Sequence, residues 1–118
     1  MITVEQVRNN PQVRTYIQKA DEALAALGYT EHSFAHVGKV AKEAREILLT
    51  LGYSPREAEL AEIAGWLHDI GNVINRVDHA QSGAVMAFRI LDKLGAEAEE
   101  ISTIISAIGN HDESTAYP

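Results

Sequence analysis

The residues of this chain with the most chemistry to offer are its five histidines and the aspartate beside one of them. His36 recurs at helical spacing with Val40, Ala44 and Ile47, and His68 shares a face with Leu60, Ala64 and Leu67. His79 is in phase with Gly83, Met86, Ile90 and Leu94, and His111 continues the line Ile101, Ile104, Ile108. Four imidazoles from four segments are therefore expected to point toward an apolar interior, each near a helix end, where they can meet. Burying them together is costly unless their nitrogens are satisfied. A divalent cation does this at once, because neutral imidazole is a common metal ligand and helix bundles house such sites between facing helices. Asp69 adds a hard anionic oxygen able to bridge two cations. One such histidine alone reads as a hydrogen-bonded core residue; four in phase with Asp69 read as a metal centre. His32 falls at or before a helix start and reads as a solvated surface residue, a fifth ligand being the other reading.

The elements that must position these groups are helices. Ala, Glu and Leu dominate and no segment alternates apolar and polar residues for long, so the expected fold is all-α, a compact bundle of about six helices. Thr3 caps a short helix to Asn9, and Pro11 opens a second that runs to Leu27 and is closed by Gly28. A third runs from Ser33 to Leu51. Ser54-Pro55-Arg56-Glu57 combines a capping serine, a proline at the first helical position and a glutamate three residues on, and starts a fourth that ends around Ile70-Gly71. After a polar loop over Asn72–Val77, Asp78 caps a fifth helix to about Leu94, and a sixth spans Glu97 to Ile108. Trp66 and Phe88 read as core, Lys39 as outer face, and Glu97–Glu100 as a first turn favoured by the helix dipole.

The 118 residues suit one domain over 1–118, large enough to bury a core without staples. The absence of cysteine excludes disulfide scaffolds and thiolate metal sites and fits a reducing, cytoplasmic setting. The apolar runs fall far short of the roughly 20 residues of a membrane span, and residues 1–20 lack the apolar stretch of a secretion signal. With 10 basic against 17 acidic side chains the net charge is −7, which argues against general nucleic-acid binding. A small phosphorylated ligand stays compatible if bound metal draws it in. Neither a glycine-rich phosphate loop nor a serine or cysteine nucleophile pattern is present.

Taken in order, His36, then His68-Asp69-Ile70-Gly71, then His79 with Gly83, then His111-Asp112-Glu113 resemble the HD superfamily of metal-dependent phosphohydrolases, over nearly the whole span from Ser33 to Pro118. The resemblance implies that His36, His68 and Asp69 bind a first metal, and that His79 and His111 are the additional ligands of the binuclear branches, with Asp112 serving the second metal. Asn110-His111-Asp112-Glu113 and Ala116-Tyr117-Pro118 also resemble the HD-GYP branch, which hydrolyses cyclic dinucleotides. Asn110, Ala116 and Asn72 stand where that branch carries histidine, glycine and lysine, so this activity is not assigned. The family's last aspartate ligand comes from a later helix, which the single HD-like domain is expected to lack.

The resemblance implies a metal-dependent phosphohydrolase cleaving a phosphate ester or anhydride of a small metabolite, a nucleotide first among them. Asp69 would be the pivotal residue. The donor set suits one or two Mn, Fe, Co, Ni or Zn ions. Arg76, between His68-Asp69 and His79, either grips a phosphate through paired hydrogen bonds or pairs with Asp78; Asn72 is a weaker substrate-binding candidate. The alternative is a non-catalytic HD-fold module that binds a nucleotide or a protein, and a di-iron oxygenase is a third class. Oligomerisation is compatible with all three.

Overall fold

A computed structural model describes residues 1–29 and 33–110 of the chain. These residues form α1 (Val4–Asn9), α2 (Pro11–Ala26), α3 (Phe34–Thr50), α4 (Pro55–Leu67), a 3-10 turn (Ile70–Val73), α5 (His79–Lys93) and α6 (Ala98–Gly109), with no strand among them. The fold is all-α, as the sequence requires.

Local chemistry explains most boundaries. Thr3 Oγ1 accepts from the Gln6 amide at 3.2 Å while Gln6 Oε1 accepts from the Thr3 amide at 2.8 Å, a reciprocal cap. Asn10 Oδ1 accepts from Gln12 N and Val13 N, and Pro11 sits where no amide donor is needed. Ser33 and Ser54 cap α3 and α4, the latter with Glu57 as its reciprocal partner. At the end of α2, Gly28 takes φ +91°, which a side chain would resist, and this lets Tyr29 N return to Leu24 O at 2.9 Å. The same return bond closes α3 (Tyr53 N to Leu48 O) and α5 (Ala96 N to Leu91 O).

Four local expectations fail. The fourth helix stops at Leu67, short of Ile70-Gly71; the chain then tightens into the 3-10 turn, which takes up Asn72 and Val73 from the expected loop. Asp78 does not cap α5: it takes φ +59° and its side chain makes no capping bond, the loop being closed instead by Val77 N to Asn75 Oδ1 and His79 N to Arg76 O. Phe88 is not core but 49% exposed on α5. On α3 the buried residues are Val37 and Ala41, while Ile47 is 59% exposed. The helix is turned about one position, roughly 100°, from the expected face, because Gly65 of α4 presses on Ala41. A Cβ at Gly65 would stand 2.6 Å from Ala41 Cα, so the backbones of α3 and α4 meet there.

The core joins Val7, Val13 and Ile17 to Val37, Ile63, Leu67, Ile70, Leu91, Ile104 and Ile108, all buried. Trp66 belongs to it, its ring 4.9 Å from that of Phe34. Arg56 fastens three parts of the chain. Its guanidinium donates to both Glu100 oxygens on α6, to Glu59 Oε1 within α4, and to the Ile2 carbonyl at 2.8 Å. None of the helices among the described residues is long and apolar enough to cross a membrane.

Candidate metal centre

His68 and Asp69 fall where α4 gives way to the 3-10 turn, and His79 opens α5. α2 packs on the same turn. Two glycines let these elements close on one another. A Cβ at Gly71 would stand 1.9 Å from His79 O and 2.5 Å from Gly83 N, and one at Gly83 would meet Gly71 N at 3.3 Å and His68 O at 3.6 Å. The turn and α5 thus touch backbone to backbone, which brings His79 beside His68-Asp69.

The side chains are oriented by main-chain carbonyls. His68 Nδ1 lies 2.6 Å from Gly65 O, and His79 Nδ1 lies 3.1 Å from Arg76 O. A carbonyl can only accept, so each Nδ1 carries the proton and each Nε2 is turned to the other side. Both Nε2 atoms face one carboxylate: His68 Nε2 is 3.2 Å from Asp69 Oδ2, and His79 Nε2 is 3.6 Å from Asp69 Oδ1. The Asp69 side chain is 12% exposed and is backed by Ile17, Ala20, Leu24, Val37, Trp66 and Ile70. Burial opposes a charge on His68, but the hydrogen bond and attraction of Asp69, with the Gly65 carbonyl, outweigh it and hold the His68 pKa above its ordinary value.

Asn72, 3% exposed, donates from Nδ2 to Asp69 O at 2.9 Å and accepts from Arg76 Nη1 at 3.5 Å. The Arg76 guanidinium lies over the Tyr29 ring, 4.9 Å from its centroid; it makes no ion pair with Asp78. His36 is half-buried on the first turn of α3, its amide held by Ser33 Oγ. Among the described residues no set of three or more His, Cys, Asp or Glu side chains has the mutual geometry to hold a metal ion: neither His68, Asp69 and His79 by themselves nor those three with His36 form one. His111, Asp112 and Glu113, with Ala116, Tyr117, Pro118 and His32, lie outside the described residues. Asn110 is exposed and turns its amide back to Ser106 O at 2.8 Å.

The donor chemistry suits a divalent cation. A backbone carbonyl on Nδ1 is the usual outer partner of a ligating histidine. Ligands held at about 2.0–2.2 Å from one ion stand roughly 3.0–3.5 Å from each other. The His68 and His79 Nε2 atoms lie 3.2 and 3.6 Å from different Asp69 oxygens, so each pair is near that spacing while the three together do not form a site. Sequence reasoning missed the role of Gly71, assigned only to a helix end, and the part of Tyr29. A glycine directly after an apolar residue in a short turn was the available signal for the first; the second had none.

A search of curated proteins found no match to the chain, and a search of solved structures found none either. The family model described as HD domain matches residues 33–116, which span α3 to α6 and every histidine discussed above except His32. HD domains typically bind divalent metals and are generally hydrolases. A His-Asp pair at a helix end, a second histidine docked on it through paired glycines, and a family match over most of the length agree: the chain belongs to the HD domain family.

Proposed function

We propose that this protein is a metal-dependent phosphohydrolase acting on a small phosphorylated metabolite, a nucleotide first among candidates. One observation carries the reading. Two imidazoles, each fixed through Nδ1 on a main-chain carbonyl, present Nε2 to one buried carboxylate. His68, Asp69 and His79 would hold the cation, with His36, His111 and Asp112 as further ligands; Mn, Fe, Co, Ni and Zn all suit such donors. A divalent cation, one or two, supplies Lewis acidity to a phosphoryl oxygen and acidifies water. The chain supplies the rest. Asp69 accepts a hydrogen bond from the attacking water, Asn72 steadies the Asp69 backbone, and Arg76 grips the phosphate through paired N–H donors. The accompanying setting is cytoplasmic, with no general nucleic-acid or membrane partner.

The test is turnover of a nucleotide panel and an aryl phosphate by metal-loaded protein. Asp69→Asn keeps the shape and removes the charge, so turnover is expected to fall by at least about 100-fold with the fold intact. Bound metal without turnover of any phosphate ester would sink the proposal. It would favour a second reading, a non-catalytic HD-fold module that binds a nucleotide or a partner protein. That reading draws on the lack of a three-donor set among the described residues; ligand binding that raises Tm without product formation would identify it.

A further inference from the structure

Arg76 is held in a way the sequence does not announce. Among the described residues its guanidinium makes one side-chain hydrogen bond, to Asn72, and at 3.5 Å that bond is long. The firmer support is the ring of Tyr29, 4.9 Å away and 47 residues earlier. Tyr29 is itself well fixed. It stands just past the left-handed Gly28 that ends α2, and its amide returns to Leu24 O at 2.9 Å. Leu24, at 1% exposure, is anchored in the core. Tyr29 is 44% exposed, so it sits at the site's edge instead of filling the interior. A guanidinium lying on an aromatic face keeps its N–H donors in plane, directed outward from the ring. The carbonyl of the same Arg76 accepts from His79 Nδ1, so one residue joins the ring, the turn and an imidazole of the metal centre.

We propose that Tyr29 is a positioning residue: its ring sets the Arg76 guanidinium as a preformed clamp for the phosphoryl group of the substrate. This rests on the phosphohydrolase reading. Because the clamp is assembled before substrate arrives, less side-chain freedom is lost on binding. The effect therefore belongs in substrate binding and not in the chemical step.

Steady-state kinetics of metal-loaded protein on p-nitrophenyl phosphate test this. Tyr29→Leu is expected to raise KM about three- to fivefold, the effect of a cation–π contact at a partly exposed site, with kcat within about twofold. Tyr29→Phe keeps the ring and is expected to keep the wild-type KM. Arg76→Ala is expected to raise KM further, and adding Tyr29→Leu to it should change nothing more. An unchanged KM in Tyr29→Leu overturns the proposal, as does its full effect persisting without Arg76. If the wild-type protein hydrolyses no phosphate ester, the phosphohydrolase reading fails. Calorimetric titration with inorganic phosphate then decides Tyr29 on its own: a three- to fivefold weaker Kd in Tyr29→Leu, seen only when Arg76 is present, supports the clamp, and an equal Kd overturns it.

Discussion

Asp69 receives an imidazole on each oxygen, and its backbone carbonyl is held by Asn72. The imidazoles answer the difficulty of a carboxylate placed against an apolar wall, where an uncompensated charge would be costly, while Asn72 fixes the backbone that carries it. Asn72 is the least obvious contributor. Its position lay in an expected polar loop, yet it is almost fully buried and both ends of its amide are used. Replacing Asn72 by alanine removes the side-chain donor to the Asp69 carbonyl, which keeps the Asn72 backbone amide at 3.1 Å, so a loss of about 0.5–1.5 kcal/mol in unfolding free energy is expected. Urea denaturation of the variant measures it. Metal affinity is expected to fall in the same variant, as it does when an outer partner of a ligand is removed.

Among the elements, the contact between the 3-10 turn and α5 decides whether the histidines meet. Gly71→Ala would place a methyl 1.9 Å from the His79 carbonyl, in backbone that cannot simply rotate away. The two segments must separate, and a loss of about 3 kcal/mol or more is expected from such overpacking. The variant is also expected to bind metal weakly even where it stays folded, which elemental analysis at low temperature would show. The tie between α4 and α6 carries a pH signature. The Arg56 hydrogen bonds hold the Glu100 carboxyl below its ordinary value of 4.5. A carboxylate lowered in the folded state stabilises above its unfolded pKa, and that stability disappears as the pH falls through the lower folded value. Glu100→Gln should therefore cost about 1 kcal/mol at pH 7. The difference from wild type should shrink below pH 4.5, as thermal melts across pH would reveal.

At the scale of the whole molecule, the described residues fill a body of 39 × 29 × 24 Å with a Cα radius of gyration of 13.2 Å. One core joins α1 through α6, with Arg56 reaching from α4 to both the first residues and α6. The net charge of −7 surrounds a centre meant, on the present proposal, for a phosphorylated ligand. Cations held in the centre and Arg76 must then supply locally what the surface opposes. Duplex DNA of arbitrary sequence is expected to show no retardation in gel-shift experiments at physiological salt; retention would contradict the small-molecule reading.

Amphipathic period, capping residues and breakers are local properties, and they were enough to mark six helices with ends correct to within a few residues. They also put His68, Asp69 and His79 at helix ends, since polar residues in phase with apolar neighbours are visible in one dimension. Contact between segments is not. The turn of α3 that buries Val37 and Ala41 and exposes Ile47 depends on Gly65 and Ala41 touching. The meeting of His79 with Asp69 depends on Gly71 and Gly83 doing the same, and the seat of Arg76 on a ring 47 residues distant. Short-range sterics and hydrogen bonding write the helices into the chain; which faces meet is chosen only when whole surfaces are packed together.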